Sequence, residues 1–303
     1  MEKPVEPKRE DCCNSGCNPC IFDVYEKQLK KYENYLKGGS NSNVSQENGI
    51  KQLEYTEFIV VENMNICKSH NLIIFKKPTS DGNRVWWKPG DHFLFKYISK
   101  EVSCTRAYTP INIDNEYRNN YDFSIVVKKY DDGVVSTYLC NVDKGCTTLW
   151  RGPYGHYEIQ PNKFNRIIMI AQGTGIAPFI TIIDNILKNE DDMTRIILLY
   201  CCKTEDTILF RNELYDFKSY WNFQYAIYLS TNLQNTEIRY QEPIKPYKLN
   251  IEELHVYMPY NSKDQFLISQ KNISVEQIPR YILFCMTVSG VDPRELRETT
   301  TVL

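Results

Sequence analysis

The sequence predicts an antiparallel β-barrel followed by a parallel α/β domain. Between residues 57 and 130, short apolar runs are separated by turn signals, which is typical of a small antiparallel barrel. From residue 162 onward, continuous apolar runs alternate with helical patterns, as in a parallel sheet covered by helices on both faces. We therefore predict one domain over residues 50–160 and another over residues 161–303, preceded by a Cys-rich segment over residues 1–40.

The composition excludes several classes of protein. Hydrophobic residues make up 42% of the 303 residues and charged residues 24%, which indicates a globular chain. The formal net charge of -2 argues against a nucleic-acid partner. No apolar stretch is long enough to cross a bilayer, so we expect no integral membrane segment. The 11 cysteines, without a signal-peptide pattern, favour a reducing compartment and a cytoplasmic location, with peripheral association with a membrane-bound partner left open.

Apolar periodicity assigns the individual elements. A helix is predicted near the start of the chain by the spacing of Phe22, Tyr25, Leu29 and Tyr32 or Leu36. A flexible linker of Gly, Ser and Asn follows at residues 38–43. The first domain has predicted strands at residues 57–62, 72–75, 91–97 and 122–130. The second domain has predicted strands at residues 166–171, 195–201, 223–229 and 281–285, and helices at residues 178–187 and 208–217.

A basic and aromatic motif, Arg106-Ala107-Tyr108-Thr109-Pro110, stands in the barrel region. The planar guanidinium of Arg matches phosphate oxygens, and Tyr offers a flat surface for a ring system. In an extended strand Tyr108 points to the same face as Arg106, and Thr109 adds a hydroxyl group. This combination fits a flavin dinucleotide. The alternative is a surface Arg and Tyr at the end of a strand.

A turn with helix-capping residues follows the strand at residues 122–130. Asp131, Asp132 and Gly133 form the turn, and Ser136 is predicted to cap a short helix over residues 137–141. The free N–H groups of a helix N-terminus attract phosphate. The alternative is an ordinary capped turn without a ligand.

Two glycine motifs follow. Residues 152–155, Gly-Pro-Tyr-Gly, predict a tight turn where the chain leaves the barrel. Residues 171–178 contain Gly173, Thr174 and Gly175 between a buried strand and a helix that starts near Pro178. The third glycine of the Rossmann fingerprint is missing, but the carboxyl end of the first strand of such a sheet is where dinucleotides bind. The alternative is a plain strand-to-helix turn.

Together these motifs resemble the ferredoxin reductase-like flavoproteins, and most closely the NADH-cytochrome b5 reductases. The order Arg-x-Tyr-Thr-Pro, Val-x-Lys-x-Tyr, Gly-x-x-Ser, Gly-Pro-x-Gly and Gly-Thr-Gly-Ile-x-Pro is that of the family, over roughly residues 55–285. The resemblance implies FAD and NADH as cofactors. It implies cofactor contacts for the following residues: Arg106, Ala107, Tyr108, Thr109, Val126, Val127, Lys128, Tyr130, Gly133, Val134, Val135, Ser136, Gly173, Thr174, Gly175, Ala177 and Pro178. Thr109, Lys128, Thr174 and Cys285 are the implied catalytic residues.

Two further features bear on the coenzyme. Relatives that prefer NADPH typically carry a Ser-Arg pair after the third strand of the second domain, where this chain has Ser230-Thr231-Asn232, and this favours NADH. Cys285 corresponds to the cysteine of the family's Cys-Gly-x-Pro motif, but Met286 replaces the expected glycine. The nicotinamide pocket is therefore expected to depart from the family pattern at this point.

Four cysteines stand close together near the start of the chain: Cys12, Cys13, Cys17 and Cys20. The segment resembles a short oxidoreductase-like motif that precedes some reductases. Closely spaced thiolates can bind zinc or an iron–sulfur cluster, although the adjacency of Cys12 and Cys13 would strain a tetrahedral site. A group of redox-active thiols and a partner-docking element are the alternatives.

The function predicted from these observations is transfer of hydride from NADH to FAD, and of electrons onward to a one-electron acceptor such as cytochrome b5. One rival is a non-catalytic protein that keeps the FAD fold but has an impaired NADH pocket. A second rival is a metal-binding or interaction module whose working part is the Cys cluster.

Overall fold

A computed structural model describes residues 3–14, 19–37, 48–79, 82–112, 121–155, 157–231, 238–257, 264–269 and 300–302. The chain forms two compact units, Met1–Glu158 and Ile159–Leu303. An antiparallel sheet builds the first unit and a parallel sheet the second, so the predicted fold class is confirmed.

The first unit contains a six-stranded antiparallel sheet. Its strands are β1 (Thr56–Cys67), β2 (His70–Lys76), β3 (His92–Ile98), β4 (Ser103–Tyr108), β5 (Phe123–Lys128) and β6 (Thr147–Tyr154). They are ordered β4-β3-β6-β1-β2-β5. Beyond β4, Ile111 exchanges two backbone hydrogen bonds with Ser124 of β5, with N···O distances of 2.8 and 3.1 Å. This bridge brings the two edges of the sheet together and closes the barrel.

Aromatic side chains fill the barrel. The rings of Phe75 and Phe123 stack with their centroids 4.9 Å apart, and Trp150 lies 5.1 Å from Phe75 and 5.0 Å from Phe95. All four side chains are almost completely buried. Alternate residues of each strand supply this core, which explains why residues 123, 125 and 127 of β5 all belong to it.

The N-terminal segment packs on the outside of the barrel. Helix α1 (Ile21–Leu36) presents Ile21 and Val24 to a small apolar cluster that also contains Cys13, Leu94 of β3 and Tyr154 of β6. Ala107 of β4 packs against the same cluster. The helix predicted from the apolar spacing is thus confirmed, while the predicted linker at residues 38–43 lies outside the described residues.

The Gly-Pro-Tyr-Gly motif does not form the predicted turn. Gly152, Pro153 and Tyr154 belong to β6, and only Gly155 follows the strand. A Cβ atom at Gly152 would stand 2.7 Å from the ring of Phe93, so the glycine allows close packing of β6 on β3, at an irregularity in their pairing. The buried hydroxyl of Tyr154 donates to the carbonyl oxygen of Gln52.

The second unit is built on parallel strands. These are β7 (Arg166–Gln172), β8 (Arg195–Cys202), β9 (Phe223–Leu229), β10 (Ile244–Lys245), β11 (Asp264–Ser269) and β12 (Thr300–Val302), in the order β10-β9-β8-β7-β11-β12. Strand β7 lies inside the sheet. Strands β8, β9 and β10 follow one another on one side of β7, and β11 and β12 lie on its other side. The order therefore reverses at β7, the position where α/β sheets bind ligands.

Helices α3 (Ala177–Lys188), α4 (Arg211–Phe217) and α5 (Ile251–Tyr257) connect these strands. The helix predicted at residues 208–217 begins only at Arg211, because Phe210 has a left-handed backbone conformation with a φ of +55°. Strands β10, β11 and β12 were not predicted, and the strand predicted at residues 281–285 lies outside the described residues. Over the part of the chain that is described, no helix combines the length and hydropathy needed to cross a membrane.

Candidate functional site

Strand β4 carries the basic and aromatic motif of the barrel. Its outward residues, Thr105 and Ala107, face the N-terminal segment, whereas Tyr108 belongs to the barrel core. By the alternation of a strand, Arg106 shares the face of Tyr108, as predicted. Its side chain is exposed, and its Nη1 donates to the carbonyl oxygen of Thr105 at 2.8 Å. Burial raises the pKa of the Tyr108 phenol, so this ring is a neutral surface at physiological pH.

Strand β5 leads from the core to an exposed aromatic ring. Val127 belongs to the barrel core and Val126 is also buried, so neither side chain is open to water. Lys128, at the end of the strand, places its Nζ 5.1 Å from the centroid of the Tyr130 ring. Tyr130 is exposed and lies next to the turn that leads into the helix α2 (Val134–Asn141).

The turn after β5 is tightly built around Gly133. Helix α2 (Val134–Asn141) starts directly after Gly133, so the prediction that Ser136 caps a helix from residue 137 is wrong. Ser136 lies in the first turn of the helix. Its Oγ accepts a hydrogen bond from the N–H of Tyr130 at 3.2 Å and donates to the carbonyl oxygen of Gly133 at 3.1 Å. Thr137 donates its hydroxyl to the carbonyl oxygen of Tyr130 at 3.3 Å.

Gly133 has no room for a side chain. A Cβ atom there would overlap the Oγ of Ser136 and stand 3.0 Å from the Cβ of Tyr130. Glycine therefore lets the turn close tightly just before the N-terminus of α2, where the first N–H groups of a helix have no partners within the helix. Such a cradle fits a phosphate group.

A cavity of about 430 Å³ lies beside this cradle. Its walls combine aromatic rings, two carboxylates and the start of α2. The lining residues are Tyr97, Asp131, Asp132, Gly133, Val134, Thr137, Tyr138 and Asn141. The carboxylates would accept hydrogen bonds from hydroxyl or amino groups and would repel phosphate. The chemistry of the lining thus suits the nucleoside part of a dinucleotide whose phosphates lie at the cradle.

The glycine loop of the second unit stands at the reversal of strand order. Residues Gly173–Ile176 form a 3-10 turn between β7 and α3. Gly173 has a φ of +53°, and a Cβ atom there would meet nothing within 4 Å, so glycine is favoured here by backbone conformation and not by crowding. The buried Tyr200 of β8 donates its hydroxyl to the carbonyl oxygen of Gly173 at 3.2 Å and accepts from the N–H of Leu209 at 3.3 Å. Pro178 lies in the first turn of α3, as predicted.

The end of β9 carries hydroxyl groups and no cation. Ser230 donates its backbone N–H to the carbonyl oxygen of Cys202, and Thr231 donates its hydroxyl to that of Lys203 at 3.2 Å. Asn232 lies outside the described residues. Residues 230–238 contain neither Lys nor Arg.

A buried charge cluster joins the N-terminal segment to the barrel, and the sequence did not predict it. The carboxylate of Asp11 lies 3.2 Å from the Nζ of Lys96 and 3.6 Å from the Nη2 of Arg151. Tyr55 donates its hydroxyl to Asp11 at 3.2 Å, and its ring lies 4.4 Å from the guanidinium carbon of Arg151. We call Asp11, Tyr55, Lys96 and Arg151 the Asp11 cluster. Burial raises the pKa of Asp11, but the N–H of Lys8 and the two cations outweigh it and hold that pKa below its ordinary value.

The predicted metal ligands do not come together as one group where they are described. The Sγ atoms of Cys12 and Cys20 are 3.8 Å apart, while Cys13 is buried in the apolar cluster with Ile21. Among the described residues, no three His, Cys, Asp or Glu side chains come close enough to hold a metal ion. Cys17 and Cys285 lie outside those residues.

Family models match all three parts of the chain. They are the oxidoreductase-like protein N-terminal model over residues 1–40, the oxidoreductase FAD-binding domain over residues 57–159, and the oxidoreductase NAD-binding domain over residues 169–264. Among curated proteins, mouse NADH-cytochrome b5 reductase-like is 31% identical over 245 residues, which are 78% of this chain and 76% of that protein. This chain belongs to the NADH-cytochrome b5 reductase-like family. The human member is 29% identical over 250 residues, 79% of this chain and 77% of that protein.

Solved structures agree with this family in fold. The cytochrome b5 reductase domain of Ulva prolifera nitrate reductase has a TM-score of 0.67 at 22% identity and covers 85% of this chain and 100% of its own. Ferredoxin-NADP+ reductase from Plasmodium falciparum has a TM-score of 0.62 at 17% identity and covers 84% of this chain and 99% of its own. As a member of the NADH-cytochrome b5 reductase-like family, the chain is an oxidoreductase with FAD and NADH as cofactors, and it carries electrons from NADH to FAD.

Proposed function

We propose that this enzyme passes the electrons it takes from NADH, one at a time, to cytochrome b5 or a similar small electron carrier. The observation that carries the proposal is the crowded turn at Gly133, which stands at the N-terminus of α2 beside a cavity suited to a nucleoside. Cytochrome b5 is the acceptor named for the relatives, and a location near that acceptor, in the cytoplasm, is part of the proposal.

The barrel residues have distinct roles in this proposal. Arg106 and the N–H groups of Val134, Val135 and Ser136, at the start of α2, hold the pyrophosphate of FAD. The N–H of Gly133 bonds to the carbonyl oxygen of Tyr130, so Gly133 contributes the shape of the turn. Because these donors are fixed by the Ser136 hydrogen bonds, the phosphates are held without reorganisation of the turn.

The flavin ring and the adenosine occupy different surfaces. Tyr108 and Thr109 stand at the flavin ring, and Thr109 offers its hydroxyl to a ring heteroatom. Ala107, Val126 and Val127, whose side chains pack inside the unit, contribute their backbone to the cofactor site. The exposed Tyr130 ring lies next to the adenine. The ammonium of Lys128 contacts the Tyr130 ring and fixes its position, which favours stacking of the adenine on that ring.

The second unit binds the nicotinamide coenzyme. Gly173, Thr174 and Gly175 bring their backbone close to it, while Ala177 and Pro178 start the helix whose N-terminus faces the carboxyl edge of the sheet. FAD, when bound, accepts two electrons from NADH and releases them singly. Thr109, Lys128 and Thr174 orient the reacting rings, and Cys285 is proposed as the thiol beside the nicotinamide.

An anaerobic titration tests the proposal. The purified chain should show flavin absorbance, which NADH should bleach without oxygen. Reoxidation by cytochrome b5 should then be faster than reoxidation by oxygen. A protein that binds FAD but is not bleached by NADH would instead be the non-catalytic rival, and bleaching without transfer to cytochrome b5 would refute the proposed acceptor alone.

We expect a strong preference for NADH over NADPH. The extra phosphate of NADPH is doubly charged, and residues 230–238 supply no Lys or Arg to pair with it. The value of kcat/KM should be at least about tenfold higher with NADH, or about 1.4 kcal/mol in transition-state stabilisation. Thr231→Arg should narrow this ratio, whereas Thr231→Ser should not. Equal kcat/KM values for the two coenzymes in the unaltered chain would contradict the prediction.

Replacing Arg106 by alanine should weaken FAD binding by about tenfold, because an exposed cation paired with phosphate contributes about 1–1.5 kcal/mol. Arg106→Lys should retain part of that affinity, since it keeps the charge and loses the planar fork. Quenching of flavin fluorescence measures the dissociation constant. Arg84→Ala, at an Arg of the same unit outside the motif, is the control, and equal losses in the two alanine variants would count against a specific role for Arg106.

A further inference from the structure

The two thiols that meet in the N-terminal segment are not among the residues proposed to contact FAD or NADH. The Sγ atoms of Cys12 and Cys20 are 3.8 Å apart, which is van der Waals contact between sulfur atoms. Both residues are partly exposed, so a small reagent can reach them. The electron transfer described above gives these thiols no task.

Each thiol is held by a separately anchored piece of the chain. Cys12 follows Asp11, which is tied to Lys96 and Arg151 in the barrel wall. Cys20 precedes α1, whose first turn is fixed by a hydrogen bond from the N–H of Cys20 to the Oδ2 of Asp23 at 2.8 Å and by the burial of Ile21. Because both anchors lie on the same barrel, the two sulfur atoms stay close without any rearrangement of the fold.

The described surroundings favour a two-thiol site over a metal site. A protein metal centre of zinc or iron needs three or four ligands. Among the described residues no third His, Cys, Asp or Glu joins Cys12 and Cys20, and the neighbouring Cys13 packs among apolar side chains instead. Two thiols in contact, reachable from solvent and held in place, are sufficient for thiol–disulfide exchange.

We propose that Cys12 and Cys20 are a reversible dithiol–disulfide pair that exchanges with low-molecular-weight disulfides. One cysteine, as thiolate, attacks a sulfur of the reagent disulfide, forms a mixed disulfide and releases one reagent thiol. The other cysteine gives its proton to solvent, attacks the protein sulfur of the mixed disulfide and displaces the second reagent thiol. The protein loses two electrons and two protons, and the reagent disulfide gains both.

The disulfide between Cys12 and Cys20 would cross-link the N-terminal segment and enclose residues 13–19 in a covalent loop. The bond joins the residue after Asp11 to the residue before α1, so it fixes both anchors relative to each other. The segment packs on Ala107, which lies between Arg106 and Tyr108 in β4. A segment that is more firmly attached would therefore restrain the strand that carries these two proposed FAD contacts. Oxidation should accordingly make the N-terminal segment harder to remove by limited proteolysis.

Thiol mapping on the full chain tests the proposal. The protein is equilibrated in buffers of reduced and oxidised glutathione, quenched in acid, alkylated and digested, and its peptides are analysed by mass spectrometry. As the oxidised share increases, Cys12 and Cys20 should lose alkylation together, by at least tenfold, and a peptide pair linked through these two residues should appear. Linkage of either one to Cys13 or Cys17, or full alkylation of both under oxidising conditions, would overturn the assignment.

Variants and metal analysis complete the test. In Cys12→Ser, the linked peptide pair should be absent, and Cys20 should be found either alkylated or as its mixed disulfide with glutathione, because no second cysteine can displace the glutathione. Cys20→Ser should give the same result for Cys12. Cys146→Ser, which removes an exposed thiol of the same unit, should leave the linked pair unchanged. One equivalent of zinc or iron in the purified chain that is lost in Cys12→Ser would overturn the proposal in favour of a metal centre.

Discussion

Replacing Asp11 by alanine should lower the free energy of unfolding of the first unit by about 3 kcal/mol, because it removes the carboxylate that faces the buried Arg151 and leaves the buried Lys96 paired only with Glu10, at 3.4 Å. Arg151 is 1% exposed and Lys96 is 7% exposed, so water cannot take the place of the lost partner. Chemical denaturation followed by tryptophan fluorescence measures the change, since three of the four tryptophans, Trp86, Trp87 and Trp150, lie in this unit.

A matched surface substitution separates this effect from the loss of any carboxylate. Glu54 pairs with Lys51 at 2.7 Å, but both side chains are more than half exposed. Glu54→Ala should therefore change the free energy of unfolding by no more than about 0.5 kcal/mol. If Asp11→Ala and Glu54→Ala had equal small effects, the Asp11 cluster would not hold the segment on the barrel.

The Asp11 cluster should also give the first unit a specific acid sensitivity. The folded-state pKa of Asp11 lies below its ordinary value of 3.8, so its contribution to stability is fully present above about pH 4. It is lost as the pH falls through the folded-state pKa, where the carboxylate becomes protonated, Arg151 loses its counter-charge and Lys96 loses one of its two carboxylate partners. Asp11→Asn should abolish this part of the pH dependence, which denaturation curves between pH 5 and pH 2.5 would measure.

The sequence could predict the elements whose periodicity is strong, and it could not predict the Asp11 cluster. The apolar runs of β7, β8 and β9 predict a parallel sheet because strands buried on both faces need no polar alternation. The sequence alone does not show that Asp11, Lys96 and Arg151 are buried, because charged residues are usually exposed. Their burial depends on contacts between residues far apart in the chain, about 85 and 140 positions from Asp11.

The phosphate cradle shows how a correct motif can come with a wrong local structure. Ser is a favoured N-cap, so the sequence placed the start of α2 at Ser136. In the fold, Gly133 takes the N-cap position, and the Ser136 hydroxyl turns back to the N–H of Tyr130. A Ser side chain can either cap a helix or bond to a nearby backbone N–H group, and the position in which the chain leaves β5 decides between the two.

Strand β11 was missed because its sequence gives little signal. Only Phe266, Leu267 and Ile268 are apolar among its six residues, which is too short a run to separate strand from loop. Its pairing with β7 along the whole strand is a tertiary effect. This pairing produces the reversal of strand order at the Gly173 loop, so the dinucleotide edge of the sheet was predicted from the glycines and not from the topology.

Replacing Gly133 by alanine should weaken FAD binding by about thirtyfold, or about 2 kcal/mol, because the turn has no room for the new methyl group and must change shape to admit it. The methyl group would overlap the Oγ of Ser136 and crowd the Cβ and the carbonyl oxygen of Tyr130, at 3.0 and 3.3 Å. If the Ser136 hydroxyl rotates away, it gives up its bonds to Tyr130 and Gly133, so the turn loses the arrangement that presents its N–H groups. The dissociation constant of FAD, from quenching of flavin fluorescence, is the measurement.

A double-mutant cycle identifies the cause of that loss. Ser136→Ala removes the overlapping Oγ, so the cost of Gly133→Ala should be smaller in the Ser136→Ala background than in the unaltered chain, by about 1 kcal/mol. The remaining cost reports the contact with Tyr130, which no change at Ser136 relieves. Val102→Ala, at an exposed side chain of the same unit outside the turn and the cavity, should leave the dissociation constant within about twofold. Strictly additive losses at Gly133 and Ser136 would mean that the two positions act on FAD separately, and that the crowded cradle is not what holds the pyrophosphate.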